Sequence, residues 1–147
     1  MFDMHIEEFF QDCSKALLML YQNFPKKMTV FVEDISGPDQ PDEYGVHNDR
    51  FMSTFGALIW LADEGYVQFE TTIRQEAIDQ AVLTAKGLHM ISCVAYDDYL
   101  QGLVETMATK PAGLLAQPKI EVVKHISKHG TSSQLALAMQ HLLKGSR

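Results

Sequence analysis

A chain of 147 residues with 46% hydrophobic and 21% charged residues has a globular composition, long enough for one domain or one domain with an appended subdomain. That composition excludes a disordered or fibrous protein, and no apolar run approaches the roughly 20 residues that span a bilayer. The net charge of −7 is unevenly placed: residues 1–109 carry 18 acids against 6 Lys and Arg, whereas residues 110–147 carry 1 acid and 6 bases. Such asymmetry marks a surface for an acidic partner, or two halves that attract each other within a monomer or across a dimer.

In chain order, residues 6–24 form the first predicted helix. Ile6, Phe9, Phe10, Cys13, Leu17, Leu20, Tyr21 and Phe24 recur at spacings of three and four, and Pro25 ends the run. Asp3, Glu7 and Glu8 occupy the start in place of the basic region of a signal peptide, so a cytoplasmic protein is expected. Residues 28–33, rich in β-branched and aromatic side chains, read as a short strand. Ser36–Gly45 holds two glycines, two prolines and three acids without periodicity, and reads as an exposed acidic loop. Asn48 or Asp49 caps the next helix, whose stripe is Phe51, Phe55, Leu58, Ile59 and Ala62, and Gly65 supplies the left-handed turn after it. Val67, Phe69, Thr71 and Ile73 then alternate with polar residues along a strand. Residues 75–81 read as the returning strand or as a helical turn, because they hold good helix formers and no turn residue. Thr84 caps a long helix to about Met107, with Leu88, Ile91, Ala95, Tyr99 and Leu103 on its stripe, broken at Lys110–Gly113. Two shorter helices follow, over 119–128 and 132–143, joined by Gly130-Thr131-Ser132. Cys13 and Cys93 both fall on apolar helical stretches and read as buried free thiols.

The stretch Leu58-Ile59-Trp60-Leu61-Ala62-Asp63-Glu64-Gly65-Tyr66-Val67, followed by Leu83-Thr84-Ala85-Lys86-Gly87-Leu88, resembles the helix–wing–helix portion of bacterial winged helix-turn-helix proteins over about 40 residues. The resemblance implies a recognition helix around Asn48–Ala62 and a wing around Thr71–Ile78. It makes Asn48 and Arg50 candidates for base edges, Ser53 and Thr54 candidates for phosphate, and Arg74 the basic residue of the wing. Two departures stand against it: Asp49, Glu70, Glu76 and Asp79 oppose phosphate, and the acidic loop lies where a helix normally precedes the recognition helix.

Other chemistry is thinly marked. Ile126, Gly130 and Ala136 have helix-turn-helix spacing beside Lys119, Lys124 and Lys128, a pattern that more often completes a core or a dimer interface. Glu121, His125 and His129 recur every four residues but lack further metal ligands, and no nucleophile motif or phosphate loop is present. The expectation is an α+β, mainly α, winged-helix-like domain over 1–109, with a small sheet (a strand near 28–33 plus a wing hairpin). A C-terminal helical hairpin over 110–147 would pack on it or on a dimer partner. The expected function is DNA binding in transcription regulation, without catalysis or cofactor, through Asn48, Arg50, Ser53, Thr54 and Arg74. The alternative is a protein-interaction module on the same scaffold, using the acidic loop or apolar helix faces. Expected partners are double-stranded DNA or a protein, together with a second copy in a homodimer, and no membrane.

Overall fold

The computed structural model describes residues 2–94, 97–109 and 111–144. It is an α+β, mainly α, structure with a small antiparallel sheet, and it divides into two compact units, Lys15–Gly87 and Met1–Ser14 with Leu88–Arg147. Helix α1 (Met4–Asn23) and helix α4 (Ala85–Ser92) each contribute to both. Ala95, Lys110 and Arg147, which the sequence places on a helical stripe, in a helix break and in the basic tail, lie outside the described residues. No helix among the described residues is long and apolar enough to cross a membrane.

The unit Lys15–Gly87 runs from α1 into strand β1 (Met28–Phe31), the single turn α2 (Glu33–Ser36) and helix α3 (Asp49–Asp63). Strands β2 (Val67–Gln68), β3 (Thr71–Ile73) and β4 (Ala77–Leu83) follow, leading to the start of α4. Strand β4 is central: β1 pairs with one of its edges, and β2 and β3 pair with it from the hairpin. Its register slips once against β1, where Gln80 adopts a φ of 57°. That extra residue is a β-bulge, and it changes which residues face inward: Ile78, Ala81 and Leu83 are all buried despite their uneven spacing. The Asn48 side chain caps α3 by accepting from Phe51 N. Gly65 takes a φ of 85° after the helix, and Thr84 Oγ1 accepts from Gly87 N at the start of α4.

Residues 77–83 form the returning strand, one of the two readings open for this stretch, and the hairpin reverses through Arg74 (φ 55°) and Gln75 (φ 149°), a left-handed pair that no Gly or Asn announces. Other expectations are overturned. The strand expected over 67–73 is interrupted, with only Val67 fully buried and Thr71, Thr72 and Ile73 all exposed, because this part of the hairpin stands away from the core. Helix α3 is rotated from its expected stripe: Phe51, Thr54, Ala57, Leu58 and Leu61 are buried, while Phe55, Ile59 and Ala62 are partly exposed.

The second unit holds α5 (Asp98–Glu105), a 3-10 turn (Leu114–Ala116), α6 (Lys119–His129) and α7 (Ser132–Lys144). Ile120, Val122, Val123 and Ile126 of α6 are buried, as are Leu135, Met139, Leu142 and Leu143 of α7. A capping box opens α7, since Thr131 Oγ1 accepts from Gln134 N while Gln134 Oε1 accepts from Thr131 N. The single helix expected over 85–107 is two helices. Asp97 takes an extended conformation (φ −146°, ψ 125°), caps α5 through Leu100 N, and follows a bridge between Val94 and Pro118. Tyr99 is consequently exposed and Leu100 and Val104 take the buried positions. Cys93 is exposed rather than buried, whereas Cys13 is enclosed: burial, with the Asp12 charge adding to it, pushes its thiol far above the usual range.

Candidate binding pocket at the start of helix α3

The residues between α2 and α3 are organised by one carboxylate. Asp39 Oδ2 accepts from His47 Nδ1 at 2.9 Å and from the Asn48 backbone N–H at 3.0 Å, and Asp39 Oδ1 accepts from Asn48 Nδ2 at 2.6 Å. Within the loop, Asp42 Oδ1 accepts from the Tyr44 and Val46 backbone N–H groups at 2.8 and 3.0 Å. The loop between Gly37 and Asn48 is therefore held by Asp side chains that add to its backbone bonds, Asp42 N to Val46 O and Gly45 N to Asp42 O. His47 is pinned further by stacking on Phe51, with ring centroids 4.0 Å apart, and its Nε2 lies 3.4 Å from Glu76 Oε2 at the base of the hairpin.

These groups border a cavity of about 180 Å³ lined by Phe31, Glu33, Asp39, His47, Phe51, Ile73 and Glu76. Its apolar rim follows from strand register. Phe31 and Ile73 both stand opposite Ala77, from the two sides of β4, so all three share one face and the small alanine leaves room between larger neighbours. Phe31 is 41% and Ile73 39% exposed, while Ala77 is buried. Asp39 orients the imidazole as an Asp orients a catalytic base, but its other nitrogen faces a carboxylate, and no Ser, Cys or Lys is among the lining residues.

Of the residues expected to meet DNA, Asn48 caps α3 and donates to Asp39. Thr54 is 0% exposed, and its hydroxyl meets Arg50 O at 3.1 Å and Arg50 Nη1 at 2.6 Å. It cannot reach a phosphate, because the rotation of α3 turns it into the core. Arg50 is half-buried; Ser53 and Arg74 are exposed. Asp39 and Glu76, which flank His47 in the pocket, read in the sequence only as acids of the loop and of the wing, and His47 carries no signal of its own there. The three are separated by eight and 29 positions, and only the fold unites them.

A second polar cluster lies in the other unit. Asp97 Oδ2 is 2.7 Å from His141 Nε2 and 3.7 Å from Lys119 Nζ, and Tyr99 stacks on the His141 ring at 4.6 Å. Burial alone would raise the Asp97 carboxyl. Hydrogen bonds from His141 and the Leu100 N–H, with the charges of His141 and Lys119, outweigh it and hold the carboxyl below its usual value. A carboxylate depressed in the fold contributes stability above its unfolded pKa of about 3.9, and loses it as pH falls through the lower folded value. Asp97→Asn is therefore expected to lower stability at pH 7 by about 1 kcal/mol. The deficit should shrink as urea midpoints are measured down through pH 3; a constant deficit would show that ionisation contributes nothing. His125 Nε2 bonds Thr109 O at 2.8 Å, and among the described residues no group of three or more His, Cys, Asp or Glu is arranged to hold a metal.

The chain matches no protein-family model, no curated protein and no solved structure.

Proposed function

We propose that the chain is a non-catalytic protein-interaction module whose acidic face in the unit Lys15–Gly87 receives a basic segment of a partner protein. The observation that carries this reading is the state of the α3 start. Asn48 and Thr54, two of the residues that would read DNA there, are engaged within the fold, and residues 33–49 contain six acids and no Lys or Arg. A duplex approaching that end of α3 would meet like charge without the cationic contacts that dominate DNA affinity. The order α3, Gly65 turn, hairpin, Thr84-capped helix supports a winged-helix-like scaffold for this role, and cytoplasmic location suits it. Exposed Ser53 and Arg74 favour the second reading, DNA binding in transcription regulation, but they are few against the surrounding acids.

A labelled peptide alternating Arg and Gly, and its Glu counterpart, provide the test. The basic peptide should bind at low salt and weaken about tenfold at high salt, as a charge-steered contact does. Equal binding of the acidic peptide, or no binding of the basic one, would remove the proposal's basis.

A further inference from the structure

Resting on that reading, we infer that the cavity beside His47 is a socket for one arginine side chain of the partner. Size sets the first limit. Small-molecule and cofactor sites occupy roughly 300–1,000 Å³, whereas a cavity of about 150 Å³ takes a benzene-sized group. At about 180 Å³ the cavity suits the end of a single side chain.

Chemistry sets the second. The lining contains three carboxylates, one imidazole and three apolar side chains, with no Lys or Arg. Asp39 is fully engaged by His47 and Asn48. Glu76 has only the 3.4 Å approach of His47 Nε2, and the Glu33 carboxylate has no hydrogen bond or ion pair among the described residues. Two carboxylates with free acceptor capacity thus stand beside the exposed ring of Phe31. A guanidinium matches both features at once, because its plane stacks on an aromatic ring while its edge donates to carboxylates in parallel. A lysine ammonium would gain the charge but not the stacking, and a neutral side chain would desolvate carboxylates without pairing them.

The test is a 15N-resolved NMR titration of the whole chain with the blocked tripeptide acetyl-Gly-Arg-Gly-amide. Its citrulline and lysine analogues and free agmatine serve as parallel probes, and the chain is used as wild type and as Glu33→Gln/Glu76→Gln. The arginine peptide should shift the amides of Phe31, Glu33, His47, Ile73 and Glu76 saturably. The lysine peptide should bind about tenfold more weakly, and citrulline should leave those amides unmoved. The double variant, folded by circular dichroism, should lose at least about tenfold in affinity. Citrulline binding equal to arginine, or a double variant that binds like wild type, overturns the socket. Agmatine binding as tightly as the peptide overturns the partner assignment in favour of a free alkylguanidinium. Shifts confined to residues 40–46 would sink the socket yet leave the interaction module standing, whereas a peptide that moves no amide sinks both.

Discussion

Replacing Asp39 with alanine is expected to destabilise the chain by about 2–4 kcal/mol, a large loss for a residue in a loop. Its carboxylate accepts three hydrogen bonds, from His47 Nδ1, Asn48 N and Asn48 Nδ2, and the ion-paired side chains are more than nine-tenths buried. Truncation leaves the His47 donor and both Asn48 donors without their acceptor, and it also loosens the residue that caps α3. The individual bonds share one acceptor group, so their contributions do not simply add. Urea unfolding gives the magnitude, and hydrogen exchange at the Phe51 amide reports the cap itself, since that N–H donates to Asn48 Oδ1. A loss below about 0.5 kcal/mol, the range of an ordinary surface substitution, would mean that the loop is not held by Asp39. The consequence for function is preorganisation: a loop fixed before binding presents its acids without an ordering cost.

Gly87→Ala is the second large effect, and it tests the junction between hairpin and α4. A Cβ on Gly87 would overlap the Tyr66 carbonyl oxygen, which also accepts from Thr84 N. The obstacle is backbone, not the end of a flexible side chain, so helix and hairpin must move apart. A loss of about 2–3 kcal/mol is expected, with Tm falling by roughly 8 °C. Gly56→Ala is the control. Gly56 lies within α3, and a Cβ there meets nothing within 4 Å. Alanine should therefore stabilise that helix by about 0.5–1 kcal/mol. Calorimetry that found Gly87→Ala as stable as the wild type, or more so, would refute the close approach at Gly87.

What the sequence revealed was largely local. Asn48, Gly65 and Thr84 each announce a helix end by chemistry confined to a few neighbours, and all three act as expected. The break between α4 and α5 was also written locally, in Asp97 as a cap, but continuous apolar spacing from Leu88 to Leu103 masked it. There the bridge from Val94 to Pro118 and the bond from Lys119 N to Cys93 O outcompete helix propagation. The hairpin tip was illegible because Arg74 and Gln75 carry the positive φ angles that Gly or Asn normally signal. The rotation of α3 was missed because its apolar residues cover more than one face, and only packing decides that Thr54 and Leu61 turn inward. That rotation removed one expected DNA contact, and the Asp39 hub engaged another. The pocket had no local signature, since its polar residues come from α2, the loop and the hairpin base.

The most direct measurement of the central claim is a titration of the chain into labelled random-sequence duplex, begun at low salt and continued as salt rises. An acidic face with its candidate base readers engaged internally predicts no binding even at low salt. Binding that is tight at low salt and falls steeply as salt increases would contradict it, because that slope counts phosphates neutralised by cationic side chains.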